Sequence, residues 1–130
     1  MKKYFIILGV LQVITAIGAI PAGIGYLIDT TGAAMGVTVE MLANSPLTSF
    51  LIPGLFLVLV HGLGNIVLAI VNFRKMPVAG ISSLGMGIVL CMWIIIQVYW
   101  IGLGSFLQPL FLAVGLAEIV LGTLIWKAKP

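Results

Sequence analysis

Six side chains carry most of the chemistry this sequence offers: Glu118, His61, Asn65, Gln12, Ser83 and Thr15. A carboxyl and an imidazole together make a proton-accepting site or hold a polar ligand group. Amides and hydroxyls supply the donors and acceptors that complete such a site. Their surroundings make these residues conspicuous. The chain has 130 residues, 62% of them hydrophobic and 7% charged, whereas a soluble domain carries roughly 25% charged residues. All six fall inside long apolar runs. In lipid a polar group at such a place is expensive, and it marks a functional site or a hydrogen bond between helices.

Spacing ties the six together. Gln12 lies nine residues beyond Lys3, Asn65 nine before Arg74, Ser83 eight beyond Lys75 and Glu118 nine before Lys127. At about 1.5 Å per helical residue, the four share a layer about 12–14 Å from the basic ends. Thr15 and His61 stand one turn further out. The expectation is that Glu118, His61, Asn65, Gln12, Ser83 and Thr15 converge on one interior space as ligand- or proton-binding residues, with His61 within hydrogen-bonding reach of Glu118. The competing reading is that they bond to one another and only fix helix register.

Other chemistries find no residues. There is no nucleophile–base pair, no metal triad and no cation placed for a phosphate substrate, so no catalytic residue is assigned and no enzyme is expected. Cys91 is the single cysteine, which excludes an intrachain disulfide and a multi-cysteine metal site. Met86 and Met92 near it are read as packing, so neither a metal nor a cofactor is expected. The net charge of +3 rests on six cations scattered in three pairs. Nucleic acid needs them gathered on one surface, and no nucleic-acid partner is expected.

Helices must position the six. Four apolar runs, at about 4–28, 50–73, 78–103 and 106–126, are each long enough to cross a bilayer core as a helix. The alternating pattern of barrel strands is absent. The sequence therefore predicts an all-α polytopic membrane protein: one transmembrane domain over 1–130, a four-helix antiparallel bundle embedded in the lipid bilayer. Lys2, Lys3, Arg74, Lys75, Lys127 and Lys129 fall on one side of this path, and Asp29 and Glu40 on the other. The positive-inside rule then puts both termini in the cytoplasm. Tyr4 and Trp126 read as anchors at the inner interface and Tyr26, Tyr99 and Trp100 as anchors at the outer one; Trp93, Tyr99 and Trp100 could also stack on a ligand near the outer mouth, but interfacial anchoring explains them better. The basic start and apolar run also fit a secretory leader, but the run is too long and Ala16-Ile17-Gly18 is a poor cleavage signal.

The outer loop, 29–49, opens on the turn Asp29-Thr30-Thr31-Gly32. A short helical stretch is expected over 38–43 with Thr38 as its N-cap. Its apolar Met35, Val37, Val39, Met41 and Leu42 predict a segment that lies on the membrane surface or folds over the outer mouth of the bundle. Pro21 is expected to kink the first helix.

Small and polar residues share stripes at three- and four-residue spacing: Gly9, Gln12, Ala16, Ala19 and Gly23 in the first run, Gly54, Val58, His61, Asn65, Ala69 and Asn72 in the second, Gly80, Ser83, Gly87 and Cys91 in the third, Gly115, Glu118 and Gly122 in the fourth. Such stripes let helices approach closely in lipid. Ser49-Phe50-Leu51-Ile52-Pro53 is echoed by Ser105-Phe106-Leu107-Gln108-Pro109, each with a serine N-cap and a proline in the first turn. The echo suggests two repeated helical hairpins, a 2+2 arrangement.

The stretch 21–72, with Asp29-Thr30-Thr31-Gly32, Glu40-Met41-Leu42-Ala43-Asn44-Ser45-Pro46 and Phe50-Leu51-Ile52-Pro53-Gly54-Leu55-Phe56-Leu57, resembles a group of small bacterial four-helix membrane proteins without an assigned activity. Trp93 through Gln97, Gln108-Pro109 and Glu118 extend the likeness over most of the chain. The resemblance implies the four-span topology and a bacterial cytoplasmic membrane, and it lends no functional residues. Two functions compete: a bundle that binds a small or lipidic ligand, or supports proton-linked transport, through its polar layer; and an accessory protein whose glycine faces pack on a second copy or on a partner membrane protein.

Overall fold

The computed structural model describes residues 2–101 and 107–128. Among them there are four long helices and no strand: α1 (Lys2–Ile28), α2 (Leu51–Phe73), α3 (Ala79–Ile101) and α4 (Leu107–Lys127). All four are long and apolar enough to cross a membrane. Large apolar side chains such as Ile17, Leu59, Ile95, Leu116 and Val120 point outward, as helices solvated by hydrocarbon require. The first helix starts at Lys2, two residues before the predicted Tyr4, and runs unbroken through Pro21. The outer turn at Gly104 and Ser105, together with Lys129, lies outside the described residues.

Glycine contacts set the pairing. Gly9 lies against the Phe73 ring, Gly62 against Ile20, and Gly23 against Gly54 and Val58, so α1 and α2 run antiparallel in close contact. Gly80 meets Gly122 and Trp126, and Gly87 meets Gly115 and Glu118, so α3 and α4 do the same. The stripes are thus used inside the chain. Between the two tight pairs the contacts are lighter. α2 reaches α3 through Phe56 stacked on Trp93, with ring centroids 4.5 Å apart, and through Gly64 near Met86. α1 touches α4 where Gly18 faces Phe111. The helices close a ring in chain order, with α1 opposite α3 and α2 opposite α4. Lys2, Lys3, Arg74, Lys75 and Lys127 therefore gather at one end, and Asp29 and Glu40 at the other.

Local chemistry explains the ends. At the end of α2 the Met76 N–H donates to Val71 O and the Lys75 N–H to Asn72 O. Lys75 takes φ 51°. This is the Schellman arrangement, with lysine where glycine is usual, and Pro77 follows. At the start of α2 the cap is Phe50 rather than the predicted Ser49, although Ser49 Oγ still accepts the Leu51 N–H at 3.3 Å. Ser105 lies outside the described residues.

The outer loop folds over the bundle. Leu42 and Phe50 are buried, and Phe50 stacks on Tyr26 at 4.9 Å. The predicted turn at 38–43 is the 3-10 turn Val39–Leu42. Thr38 holds the N-cap position, but its side chain makes no capping bond. The Asp29 carboxylate accepts from the Thr31 hydroxyl at 2.6 Å, from the Thr31 N–H at 3.1 Å and from the Ala34 N–H at 3.2 Å. These donors, the hydroxyl first, hold its pKa below the usual aspartate value. A group depressed in the folded state stabilises it fully above the ordinary pKa and loses that contribution as pH falls through the lowered one. The Thr31 amide resonance should therefore titrate with a midpoint below the ordinary aspartate value. In Asp29→Asn that titration should vanish; a midpoint at the ordinary value would mean the turn is open.

Candidate functional site

The polar residues form two groups at different depths. The inner one joins three helices. Gln12 Nε2 donates to Ser83 Oγ at 3.0 Å, and Asn72 Nδ2 donates to Gln12 Oε1 at 2.9 Å, to Ser83 Oγ at 2.9 Å and to Leu68 O at 3.0 Å. Two amide hydrogens are thus shared among three acceptors. All three side chains are fully buried.

Asn72 was not among the six candidates, and counting residues from the basic pairs kept it out. That count assumes that each residue climbs by a full helical rise. Met76, Pro77 and Val78 lie in the connection instead, so Ser83 stands only four residues into α3. Helix α1 also overhangs, which brings Gly9 level with Phe73. Gln12 and Ser83 therefore meet Asn72, near the inner end of α2. Asn65 sits two turns further out and is not in their layer. Its Nδ2 donates to His61 O at 2.8 Å instead.

Glu118 is buried on α4, with its Cβ beside Gly87 of α3. The Gln12 amide is a neighbour of its carboxyl, but neither carboxylate oxygen receives a hydrogen bond. The expected bond between Glu118 and His61 does not form. Both His61 nitrogens and both Glu118 oxygens are without partners. His61 lines a cavity among the helices and Glu118 does not, so the two side chains occupy different parts of the interior.

His61 belongs to the outer group. It lies in a π-helical segment of α2, Leu57–Gly64, flanked by α-helical turns. Such segments occur often at functional sites. The Asn65 amide holds the His61 carbonyl and so closes this segment on itself. The imidazole packs edge-on to Phe56 at 5.0 Å and lies 6.0 Å from the Trp93 ring. Trp93 therefore points inward, not to the interface as its sequence position suggested. Tyr99, by contrast, is 83% exposed.

A cavity of about 270 Å³ opens here among all four helices. Its walls include Thr15, Ala19, His61, Leu90, Trp93 and Gln108. A second lobe of about 190 Å³ continues outward beneath Leu42, Leu47 and Phe50, sharing Ala22, Leu57, Trp93 and Gln97 with the first. The space exists because α1 lines it with Gly18, Ala19 and Ala22 while α2 and α3 are held apart by the Phe56–Trp93 stack. Thr15 turns its hydroxyl to Leu11 O at 2.9 Å, leaving oxygen lone pairs to accept. Glu118 lines neither lobe. Leaving a buried polar atom without a partner costs about 1–3 kcal/mol, and His61 carries two such atoms in the cavity wall.

No protein-family model matches the chain, and neither the curated proteins nor the solved structures contain a match to it.

Proposed function

We propose that this is a four-span protein of the bacterial cytoplasmic membrane that binds a small, membrane-soluble ligand between its helices. The observation that carries the reading is the two-lobed cavity, lined by all four helices and walled in part by a histidine with no internal partner. An engineered apolar cavity of about 150 Å³ suffices to bind benzene, and the inner lobe alone is larger. In this reading the outer loop is the cover of the site, and the Gln12–Asn72–Ser83 cluster fixes the register of the helices that build it.

Filling the cavity tests this. In lipid nanodiscs, the wild-type protein should bind 1-methylnaphthalene in excess of empty nanodiscs of the same lipid. Ala22→Trp, at the junction of the lobes, should reduce that excess at least tenfold. Equal binding by the two proteins, or no excess at all, refutes the reading.

The threading we propose has both termini and the 74–77 connection in the cytoplasm. Its support is the gathering of Lys2, Lys3, Arg74, Lys75 and Lys127 at one end. A fluorescent protein that matures only in the cytoplasm should glow when fused after the C-terminus and stay dark when inserted at Gly36; the reverse pattern inverts the topology. The tight α1–α2 and α3–α4 pairs also agree with a 2+2 hairpin repeat, as do Pro53 and Pro109 at the starts of α2 and α4.

Two other readings draw less support. Proton-linked transport needs Glu118 to communicate with an aqueous path, and Glu118 lines neither lobe. A scaffold presenting glycine faces to a partner needs those faces free. Gly9, Gly23, Gly54, Gly62, Gly80, Gly87, Gly115 and Gly122 all contact another helix of the same chain.

A further inference from the structure

The geometry points to the class of ligand: an uncharged, planar amphiphile whose hydroxyl or carbonyl group is held by His61 and whose apolar remainder extends along Trp93 towards the outer lobe. This rests on the cavity-binding reading above and adds what the cavity selects.

Three observations carry it. The first is charge. No Lys, Arg, Asp or Glu lines either lobe. A phosphate or carboxylate head would find no cation there, and an ammonium no carboxylate. A charged group left unpaired in such a wall is strongly disfavoured, so the head group is neutral. The second is His61. It is 1% exposed and both its ring nitrogens lack partners. A neutral imidazole offers one donor and one acceptor. A hydroxyl can answer either of them, and a carbonyl answers the donor. His61 lines the inner lobe, and the broad terminal torsion of its side chain lets the ring turn a nitrogen to a ligand there. The third is shape. Across the cavity from Trp93, α1 presents only Gly18, Ala19 and Ala22 besides Thr15. Trp93 is braced from behind by Phe56, with the two ring planes within 22° of parallel. A rigid aromatic wall facing small residues makes a slot, and a planar ring fills a slot with favourable stacking. Trp93 and Gln97 line both lobes, so the two lobes adjoin at these side chains.

Equilibrium dialysis of protein-loaded against empty nanodiscs, with three naphthalene probes, tests this. The wild-type protein should bind 1-naphthol about tenfold more tightly than 1-methylnaphthalene, the ratio expected for one buried hydrogen bond. It should show no saturable binding of 1-naphthalenesulfonate. His61→Phe keeps the aromatic wall, so it should retain 1-methylnaphthalene and bring 1-naphthol down to the same affinity. Equal affinities for naphthol and methylnaphthalene in the wild type overturn the inference, as does saturable binding of the sulfonate. So does a naphthol preference that survives in His61→Phe. These comparisons within the wild type decide the matter even if the variant does not fold. Failure of methylnaphthalene to bind at all is a different result, because it removes the binding cavity and not merely its selectivity.

Discussion

Asn72→Ala should lower the unfolding free energy by about 2 kcal/mol, the larger of the effects expected from any single polar side chain in the bundle. Asn72 is fully buried and donates to partners on α1 and α3 as well as to its own helix. Interhelical hydrogen bonds in membrane proteins average only about 0.6 kcal/mol because the separated helices find other partners. Two such interhelical bonds give about 1 kcal/mol, and a buried acceptor left without its donor adds about 1 kcal/mol more. The figure for orphaned buried groups in water-soluble cores, about 1–3 kcal/mol each, sets the upper bound, since Gln12 Oε1 would lose its donor. Thermal or denaturant unfolding in a mild detergent measures the loss. The same experiment on Asn65→Ala supplies the contrast. Asn65 donates only to His61 O within α2, so its removal should cost less than half as much. A double-mutant cycle between Asn72→Ala and Ser83→Ala should show coupling of about 0.5–1.5 kcal/mol. Strict additivity would mean the cluster is solvated and does not tie the helices.

The spans were legible because length and apolarity are properties of contiguous sequence, and nothing tertiary is needed to see that Leu51–Phe73 is a helix in lipid. The small-residue stripes were legible for a related reason. A helix that carries Gly80 and Gly87 on one face has that face as its closest contact, and it met Gly122 and Gly115. The candidate site was only partly readable. All six chosen residues are buried, yet Gln12 and Ser83 join an inner cluster, Glu118 stands alone, Thr15 and His61 line the cavity, and Asn65 bonds only to the His61 carbonyl. That division depends on how the helices pack, which a linear spacing argument does not contain. Asn72 was legible on the stripe of the second span but was left out of the candidate layer, because it lies two residues from Arg74, where depth counting puts it at the headgroups.

The cavity was invisible for a different reason. It is a difference in volume between the small residues of α1 and the wedge formed by Phe56 and Trp93, two residues 37 positions apart in sequence. The π-helical segment around His61 leaves no local signature either. Residues 57–64 would serve equally well in an α-helix. What distinguishes them is the tertiary setting, with Gly62 against Ile20, Phe56 against Trp93 and the Asn65 amide on the His61 carbonyl. The preferred anchor reading of Trp93 failed for the same cause, since the choice between an interfacial anchor and a stacking surface turns on its neighbour on α2.

Gly122→Ala should be among the most damaging single methyl additions in the described helices, costing about 2 kcal/mol net, while Gly85→Ala should cost nothing. A Cβ on Gly122 would fall 2.7 Å from Gly80 O and 2.7 Å from Leu84 N. Both are backbone atoms of α3, so no rotamer change relieves the contact and the two helices must separate. The seam cannot yield locally, because Gly87 and Gly115 are in equally close backbone contact along it and Cys91 Sγ fills the space at Gly115. Overpacking of this kind costs about 1–3 kcal/mol, occasionally more. The better helix propensity of alanine, worth at most about 1 kcal/mol, offsets only part of it. At Gly85 a Cβ meets nothing within 4 Å, so the same substitution reports propensity alone, and its effect should be neutral or slightly stabilising. Unfolding of the two variants side by side separates packing from composition. If Gly122→Ala were as stable as Gly85→Ala, the α3–α4 seam would be loose in the membrane. The buried placement of Glu118, which depends on Gly87 lying against it, would lose its support.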